Sequence, residues 1–514
     1  MSAAPQTPPP AIELIGIDKR FGLVHANRDI NLSVAKGTIH GIVGENGAGK
    51  STLMSILYGF YHPDAGTIRI NGKETVIQSS DAAIAAGIGM VHQHFMLVEP
   101  FTVLENVMLG VEGGSLLKAG IAHARSELQR LEREYALEVD PDAVTGELPV
   151  GLQQRVEILK ALYRGADTLI LDEPTGVLTP PEADHLFRIL RQLRSQGKTI
   201  ILITHKLREI MAITDAVSVM RRGEMVATRE TAKTTPEEIA ELMVGRRVLL
   251  RVTKKPAVPG AKLLQVRDLS YVDGKGVRRF SDISFEVSAG EIVGIAGVAG
   301  NGQSELLEVL AGIRHATSGE IILHGEHIPA TAKTDPAILR KKGLAHVPED
   351  RHRTGLVVAF EEWENSALGY HGDPAFLDGP FLDIKSIRDD ARRKIEQYDI
   401  RPPDCRLKTA NFSGGNQQKI VLSREMERDP SVLLVGQPTR GVDIGAIEFI
   451  HRQLLAMREA GKAILLVSVE LDEIRSLSDR ILVMCDGRII GERTAEADER
   501  ELGLMMAGVE KEAA

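Results

Sequence analysis

The chain has 514 residues, of which 43% are hydrophobic and 26% are charged, and this composition indicates a globular protein of more than one domain. The formal net charge of −9 disfavours a broad nucleic-acid-binding surface. Since no run of about 18 apolar residues occurs, we expect no membrane span and a soluble or peripheral protein. The two cysteines, Cys405 and Cys485, have no metal-ligand spacing, and a reducing compartment fits them best.

The chain begins with the proline-rich stretch MSAAPQTPPP. This stretch has neither a basic region nor an apolar run, so it does not have the pattern of a secretion signal. We expect a disordered lead over residues 1–10, followed by a first folded domain over residues 11–245.

A glycine-rich stretch, GENGAGKS, follows the apolar segment IHGIV and precedes the helical pattern STLMSILYGF. In this strand–loop–helix setting the glycines allow a tight turn, and the backbone N–H groups and the helix N-terminus bind phosphate. We therefore predict that Lys50 reaches the β- and γ-phosphates of a nucleotide and that Ser51 ligates Mg²⁺. The predicted phosphate-binding loop comprises Gly44, Glu45, Asn46, Gly47, Ala48, Gly49, Lys50, Ser51 and Thr52.

A second motif consists of two adjacent carboxylates, Asp172 and Glu173, which follow the apolar segment TLIL. Strands of this kind alternate with helical stretches, which predicts a largely parallel α/β sheet with these carboxylates at its carboxyl edge. There Asp172 would hold Mg²⁺ through water and Glu173 would polarise the attacking water. Taken alone, the pair also fits a solvated acidic turn, but the phosphate loop upstream favours catalysis.

The second half of the chain repeats the first in order and spacing. GVAGNGQS at residue 297 matches GENGAGKS at residue 44, FSGGNQQK matches LPVGLQQR, and LLVGQPTRGVDI matches LILDEPTGVLTP. Such self-similarity indicates a duplicated domain of about 250 residues. We predict a second domain over residues 263–510, joined to the first by a basic, proline-containing linker over residues 246–262.

Taken in order, these motifs resemble those of the ATP-binding cassette (ABC) ATPases. The resemblance rests on GENGAGKST, the glutamine of VHQHF, the glycine–glutamine signature, LILDEP and the TH of ILITHKL. It implies two tandem P-loop NTPase domains of the α/β class, each with a mainly parallel sheet, an antiparallel β subdomain and a helical insert. It also implies ATP and Mg²⁺ as cofactors. The segment 122–137 has the amphipathic pattern of a surface helix and fits the helical insert.

The resemblance also implies roles for further residues. Gln93 would contact Mg²⁺ and sense the γ-phosphate, His205 would contact the γ-phosphate and orient the attacking water, and Phe21 would stack on adenine. In this family, each ATP site takes its catalytic residues from one domain and its signature motif from the other. The signature residues of the second half are Ser413, Gly414, Gly415 and Asn416.

The second half departs from the catalytic pattern. The replacements are Gln303 for Lys50, Gly436 for Asp172, Gln437 for Glu173, Val469 for His205 and Glu349 for Gln93. The first half has the complete catalytic set, but Pro149 stands at the position of the signature serine. Pro149 offers neither a hydroxyl nor an N–H group. Thr179 also stands where an Asp is usual, whereas the second half keeps Asp443.

Pairing of the halves within one chain would join the intact catalytic set to the intact signature. We therefore predict one hydrolytic composite site and one degenerate site, whose loop still has backbone amides for a nucleotide. Independent drift of the two halves is the alternative interpretation.

Several segments are similar to the ATPases of bacterial simple-sugar and nucleoside importers, namely VPEDR, FSGGNQQK and QPTRGVD. The segments GMVHQHFMLVEPFTVLENVMLG and EPTGVLTPPE favour the nucleoside-type branch. This resemblance implies a peripheral subunit at the cytoplasmic face of the inner membrane, docked under two integral membrane permease subunits. An extracytoplasmic solute-binding protein would deliver the solute, and residues 94–110 would receive a coupling helix.

Two other classes of function remain open from the sequence. One is a soluble ABC ATPase switch that acts on a ribosome or a regulatory partner. The other is a nucleotide-binding scaffold without turnover, which the intact Lys50, Asp172 and Glu173 disfavour.

Overall fold

The structure is a computed structural model of the chain, and it describes residues 9–22, 24–92, 95–111, 117–176, 178, 180–247, 254–298, 300–330, 332 and 334–508. The chain divides into two compact units, Met1–Val248 and Leu249–Ala514. This division falls inside the stretch 246–262, and the predicted domain bounds themselves remain predictions. Residues 1–8 of the predicted lead lie outside the described residues.

The helices and strands of the first unit are as follows. Its strands are β1 Ile12–Phe21, β2 Val24–Val34, β3 Ile39–Val43, β4 Ala65–Ile70, β5 Lys73–Glu74, β6 Ile88–Val91, β7 Thr168–Asp172, β8 Thr199–Ile203, β9 Ala216–Arg221 and β10 Glu224–Glu230. Its helices are α1 Lys50–Leu57, α2 Ser80–Ala85, α3 Val103–Met108, α4 Leu117–Tyr135, α5 Val150–Tyr163, α6 Pro180–Ser195, α7 Leu207–Ile213 and α8 Pro236–Val244.

The main sheet of the first unit has the strand order β10-β9-β3-β8-β7-β6. The neighbours from β9 to β6 pair in parallel, and β10 pairs with β9 in the antiparallel sense. Strands β3, β6 and β8 are buried along their whole length, which explains their continuous apolar runs. Because β3, β8 and β7 are neighbours, their carboxyl ends meet at one edge of the sheet.

A second, antiparallel sheet has the order β2-β1-β4-β5. A helical region containing α3, α4 and α5 lies between β6 and β7 in the chain. Helix α4 buries the apolar face formed by Leu128, Leu131 and Tyr135, as the sequence predicts. The expected parallel sheet, antiparallel subdomain and helical insert are therefore confirmed.

The second unit contains the remaining helices and strands. Its strands are β11 Lys262–Val272, β12 Arg278–Ser288, β13 Glu291–Ala296, β14 Ser318–Leu323, β15 Glu326–Pro329, β16 Leu344–Val347, β17 Leu377–Asp378, β18 Phe381–Leu382, β19 Val432–Gly436, β20 Ala463–Ser468, β21 Arg480–Cys485 and β22 Arg488–Thr494. Its helices are α9 Gln303–Leu310, α10 Pro336–Lys341, α11 Glu362–Ala367, α12 Ile384–Gln397, α13 Gly414–Met426, α14 Ile444–Glu459, α15 Leu471–Leu477 and α16 Glu499–Met506.

The second unit repeats the topology of the first. Its main sheet has the order β16-β19-β20-β13-β21-β22, and its antiparallel sheet has the order β12-β11-β14-β15. Each strand takes the place of its counterpart, so that β13 corresponds to β3 and β19 to β7. Among the residues that the structure describes, no helix combines the length and the apolar character needed to cross a bilayer.

A buried histidine in β3 makes the stability of the first unit depend on pH. His40 is 3% exposed, its Nε2 is 2.8 Å from Oγ of Ser218, and burial lowers its pKa to about 4. At pH values between about 4 and the ordinary pKa of 6.5, His40 takes up a proton in the unfolded chain but not in the folded chain. The free energy of unfolding should therefore fall by about 3 kcal/mol as the pH drops through this window.

The His40→Gln variant should lose most of this dependence, since glutamine keeps a hydrogen-bonding group and does not titrate. The measurement is the urea midpoint, followed by circular dichroism at about pH 7.5 and about pH 5. Equal acid shifts in the wild type and the variant would contradict the assignment.

Candidate functional site

The phosphate-binding loop connects the end of β3 to the start of α1. Gly49 has a φ of +98°, and a Cβ added there would lie 2.2 Å from the carbonyl oxygen of Ala26. A Cβ on Gly44 would lie 2.4 Å from the carbonyl oxygen of Met220. Since real Cβ atoms do not approach so closely, glycine is required at both positions, and the backbone turns tightly into the helix.

Lys50, the first residue of α1, folds back into the loop. Its Nζ donates to the carbonyl oxygens of Gly44, at 2.7 Å, and Glu45, at 3.1 Å. The side chain is buried, and burial lowers the pKa of Lys50, while the charges of Glu173 and Asp172 act in the opposite direction. The geometry therefore places an ammonium group inside the loop, where it can bind a phosphate.

Asp172 ends β7 and faces the start of α1. Burial raises the pKa of Asp172, and so does the neighbouring charge of Glu173, whereas Lys50 and a hydrogen bond with Ser51 act to lower it. The carboxylate of Asp172 thus meets the hydroxyl of Ser51. This pair of oxygen donors beside a phosphate-binding loop fits Mg²⁺, which proteins bind through one or two carboxylates together with substrate phosphates and waters.

Glu173 follows Asp172 in a left-handed backbone conformation, with a φ of +49°. Nδ1 of His205 donates to Oε1 of Glu173 at 2.7 Å. Burial alone would raise the pKa of Glu173, but the hydrogen bond with His205 and the charges of His205 and Lys50 outweigh it and lower the pKa. Glu173 is therefore ionised near neutral pH, as a general base must be.

The loop after Glu173 is held by residues that the sequence reasoning missed. Nε2 of Gln154 in α5 donates to the carbonyl oxygen of Pro174 at 2.7 Å. The hydroxyl of Thr175 donates to the buried carboxylate of Glu209 in α7. Glu209 lies in α7, the helix that follows His205, and its carboxylate is buried. A charged residue at a core-facing position of this helix is the only sequence signal for the contact.

Phe21 ends β1, and its ring is 5.1 Å from the ring of Tyr61 in an edge-on arrangement. The side chain is 42% exposed. Strand β2, the hairpin partner of β1, contacts the phosphate loop through Ala26 and through Asn27, whose Nδ2 donates to Gly49 O at 3.1 Å. An exposed aromatic ring on this hairpin is suited to stacking, and its predicted contact with adenine stays a prediction.

Two of the sequence predictions fall on residues that the structure leaves undescribed. Gln93, predicted to contact Mg²⁺, and Thr179, predicted to depart from the family pattern, both lie outside the described residues.

The second unit keeps the backbone conformation of this site but has uncharged residues at the positions of Lys50, Asp172 and Glu173. Gly302 has a φ of +94° and Gln437 a φ of +46°, close to the values at Gly49 and Glu173. Gln303 is 5% exposed and folds over the loop, since a Cβ added to Gly297 would lie 1.9 Å from its Nε2. The replacements therefore change charge and leave the loop conformation in place.

The signature segments of the two halves differ in the way their helices begin. In the second unit Ser413 caps α13, and its Oγ accepts from Nδ2 of Asn416 at 2.8 Å. In the first unit Pro149 precedes α5 and makes no side-chain capping bond. The predicted lack of a hydroxyl at this position is thus matched by the lack of a side-chain cap.

Arg351, the last residue of VPEDR, packs against α13, and nothing in the sequence pattern points to this contact. Nη1 of Arg351 donates to the carbonyl oxygen of Arg440 at 2.9 Å, and Nε donates to Oε1 of Gln417 at 3.4 Å. A Cβ added to Gly414 would lie 2.8 Å from its Nη2. Arg351 therefore packs between the signature and the loop that follows β19.

An ammonium inside a glycine-rich loop, facing two adjacent carboxylates at the carboxyl end of another strand of the same sheet, is the arrangement of a P-loop ATPase. The comparison with family models gives a more specific result. The model of the ABC transporter family matches residues 27–176 and 280–440, once in each half of the chain. The chain belongs to the ABC transporter family and is an ATP-binding ATPase, so the sequence-based prediction of a duplicated ABC ATPase is confirmed.

Curated relatives match almost the whole chain. The nucleoside import ATP-binding protein NupA of Lactococcus lactis is 46% identical, covering 97% of this chain and 98% of that protein. The guanosine import ATP-binding protein NupO of Bacillus subtilis is 48% identical, with 98% of each chain covered. The glucose import ATP-binding protein TsgD13 of Haloferax volcanii is 44% identical, covering 97% of this chain and 96% of that protein.

The base assignment of Glu173 can be tested by substitution. The Glu173→Gln variant should lower turnover by about 10²- to 10⁴-fold, because glutamine can still accept the hydrogen bond from His205 but cannot take a proton. ATP binding should persist. The measurements are phosphate release and the affinity for ATP.

The matched control is Glu241→Gln, which removes an exposed carboxylate from α8 and should leave turnover unchanged. If Glu173→Gln turns over as fast as this control, Glu173 is not the base.

Proposed function

We propose that the chain powers the uptake of a nucleoside, by hydrolysing ATP at its first phosphate loop. The observation that carries this proposal is the contact of Glu173 with His205 beside Lys50 and Asp172 in the first unit. The choice of a nucleoside over a simple sugar is supported by the names of two relatives, which are import proteins for nucleosides and for guanosine.

The proposed reaction assigns each side chain a separate task. Lys50 binds the β- and γ-phosphates, Glu173 accepts a proton from the attacking water, and His205 holds Glu173 and orients that water. Ser51, Asp172 and Gln93 would hold Mg²⁺, which neutralises charge on the phosphates. Phe21 stacks on the adenine ring.

The signature motifs complete the proposed ATP sites. The catalytic set of the first half works with the signature of the second half, formed by Ser413, Gly414, Gly415 and Asn416. The other combination is degenerate, because Gln437 cannot act as a base and Pro149 has no hydroxyl. The capped, glycine-containing start of α13 supports this assignment, and so does the uncapped start of α5.

The partners would be two integral membrane permease subunits, with an extracytoplasmic solute-binding protein that delivers the solute. The subunit would sit peripherally at the cytoplasmic face of the inner membrane. Support comes from the import functions in the relatives' names and from apolar side chains exposed in the predicted coupling segment, 94–110. Met96 is 59% exposed there, and Phe101 and Leu109 are each 38% exposed.

The signature assignment predicts a loss of turnover for a substitution in the second half and almost no change for the matching substitution in the first half. Ser413→Ala should lower turnover at least about tenfold, because it removes a hydroxyl that would contact the γ-phosphate. Pro149→Ala should leave turnover within about twofold, since Pro149 has no donor to lose. Phosphate release by the full chain in complex with its membrane subunits is the measurement.

Ser413 also caps α13, so a purely structural effect has to be separated. Ser413→Thr keeps both the cap and the hydroxyl and should restore most of the activity. Wild-type turnover by Ser413→Ala would overturn the assignment.

The import function is tested with the reconstituted complex. The chain is assembled with its co-purifying membrane subunits, and the binding protein is added after loading with a nucleoside, a pentose or a hexose. We expect the nucleoside-loaded protein to raise ATP turnover several-fold and the sugar-loaded proteins to have little effect. A turnover that ignores every loaded binding protein, or the absence of a membrane partner, would favour a soluble switch instead.

A further inference from the structure

The turn that follows β16 in the second unit is longer than the turn that follows β6 in the first. The N–H of Val98 donates to Oδ1 of Asn106 at 2.8 Å. The N–H of Val357 donates to Oδ1 of Asn365 at the same distance, so the two valines are counterparts. Val98 follows the end of β6 by seven positions, whereas Val357 follows the end of β16 by ten. The longer segment contains a π-helical turn, Arg351–Gly355.

Arg351 starts this turn and joins two other segments of the second unit. Its guanidinium donates to the carbonyl oxygen of Arg440, in the loop after β19, and to Oε1 of Gln417, in α13. Nε2 of His352 donates to the same Oε1 at 2.7 Å. Nε2 of Gln417 in turn donates to the carbonyl oxygen of Phe412, the residue before the signature serine, at 3.2 Å. A continuous chain of hydrogen bonds therefore runs from the loop after β19 to the signature.

The first unit holds the corresponding loop in a different way. There Nε2 of Gln154 donates to the carbonyl oxygen of Pro174. Its counterpart Gln418 is 3% exposed, and its Nε2 has no hydrogen-bond partner among the residues that the structure describes. The second unit therefore anchors the loop through the contact of Arg351 with Arg440 and not through this glutamine.

The guanidinium of Arg351 also covers the first residue of α13. A Cβ added to Gly414 would lie 2.8 Å from Nη2 of Arg351 and 2.8 Å from the carbonyl oxygen of Gly441. Glycine therefore makes room for the guanidinium and for the loop. The first unit has Val150 at this position, and Val150 is 39% exposed, so the start of α5 is not covered in this way.

We propose that Arg351 is a positioning residue for ATP hydrolysis. By joining the loop after β19 to the start of α13, it holds Ser413 in the orientation in which the signature contacts a nucleotide. Arg351 acts through Gln417 and through the backbone of Arg440, without touching the nucleotide itself. This role rests on the proposed function, in which the second signature works with the first catalytic set.

A double-mutant cycle tests this role, with phosphate release by the full chain in complex with its membrane subunits as the measurement. Arg351→Ala should lower turnover about tenfold, because a small displacement of a group that contacts the transition state is costly. In a chain that carries Ser413→Ala, the same substitution should change turnover by less than about twofold, since the hydroxyl that Arg351 positions is already absent. Purely structural damage would instead add to the effect of Ser413→Ala.

Arg353→Ala is the matched control, because it removes an exposed guanidinium from the same turn and should leave turnover within about twofold. Arg351→Lys keeps the positive charge but not the planar fork of donors, and it should recover part of the activity. The thermal midpoint checks the fold of every variant. If Arg351→Ala folds poorly, Arg351→Met replaces it in the cycle, since methionine keeps a long side chain that packs but has no donor.

The positioning role is overturned if Arg351→Ala and Arg351→Met turn over as fast as the Arg353→Ala control, or if their effects add fully to that of Ser413→Ala. Either result leaves the proposed function intact, provided that Ser413→Ala alone lowers turnover. Wild-type turnover by Ser413→Ala would instead remove the proposed role of the signature, and the positioning role of Arg351 would fall with it.

Discussion

The first phosphate loop buries one ammonium group beside two carboxylates, and the rest of the site depends on their mutual compensation. Burial lowers the pKa of Lys50 and raises that of Asp172, while each charge favours the ionised state of the other. Removing one member of such a set leaves an uncompensated buried charge, which is more costly than losing the whole set. The joint replacement by Gln303, Gly436 and Gln437 in the second half follows this rule, whereas independent drift has no reason to change them together.

The order of the strands brings these charges together. Strand β3 leads into the phosphate loop, β7 ends in Asp172, and β8 leads to His205, and the three strands are neighbours in one parallel sheet. The same order recurs in the second unit, so residues distant in sequence meet there too. Glu349 reaches Ser304 because β16 lies beside β19, in the place that β6 takes beside β7. The duplicated topology thus allows a carboxylate to reach the hydroxyl at the start of the helix from a different strand.

Local patterns in the sequence were sufficient to predict the fold class, the phosphate loop, and the positions of Asp172 and Glu173 at a sheet edge. Each of these depends on a strand–loop junction that can be recognised in a short window. The contact of Glu349 with Ser304 could not be predicted, because it depends on the register of β16 against β19 and on the lack of room at Gly436. The role of Arg351 also depends on long-range packing, against Gln417 and the loop after β19.

The second half retains strain that catalysis no longer explains. Gln437 keeps the left-handed conformation of Glu173, and its N–H donates to Val467 O at 2.8 Å, as that of Glu173 does to Ile203 O at 2.9 Å. The loop that follows then packs against the signature, since added Cβ atoms on Gly414 and Gly415 would lie 2.8 Å from Gly441 O and 2.9 Å from Asp443 Oδ2. The strained turn therefore belongs to the support of the signature helix. The packing of the second unit's own signature helix thus accounts for the strained turn that this unit keeps although Gln437 cannot act as a base.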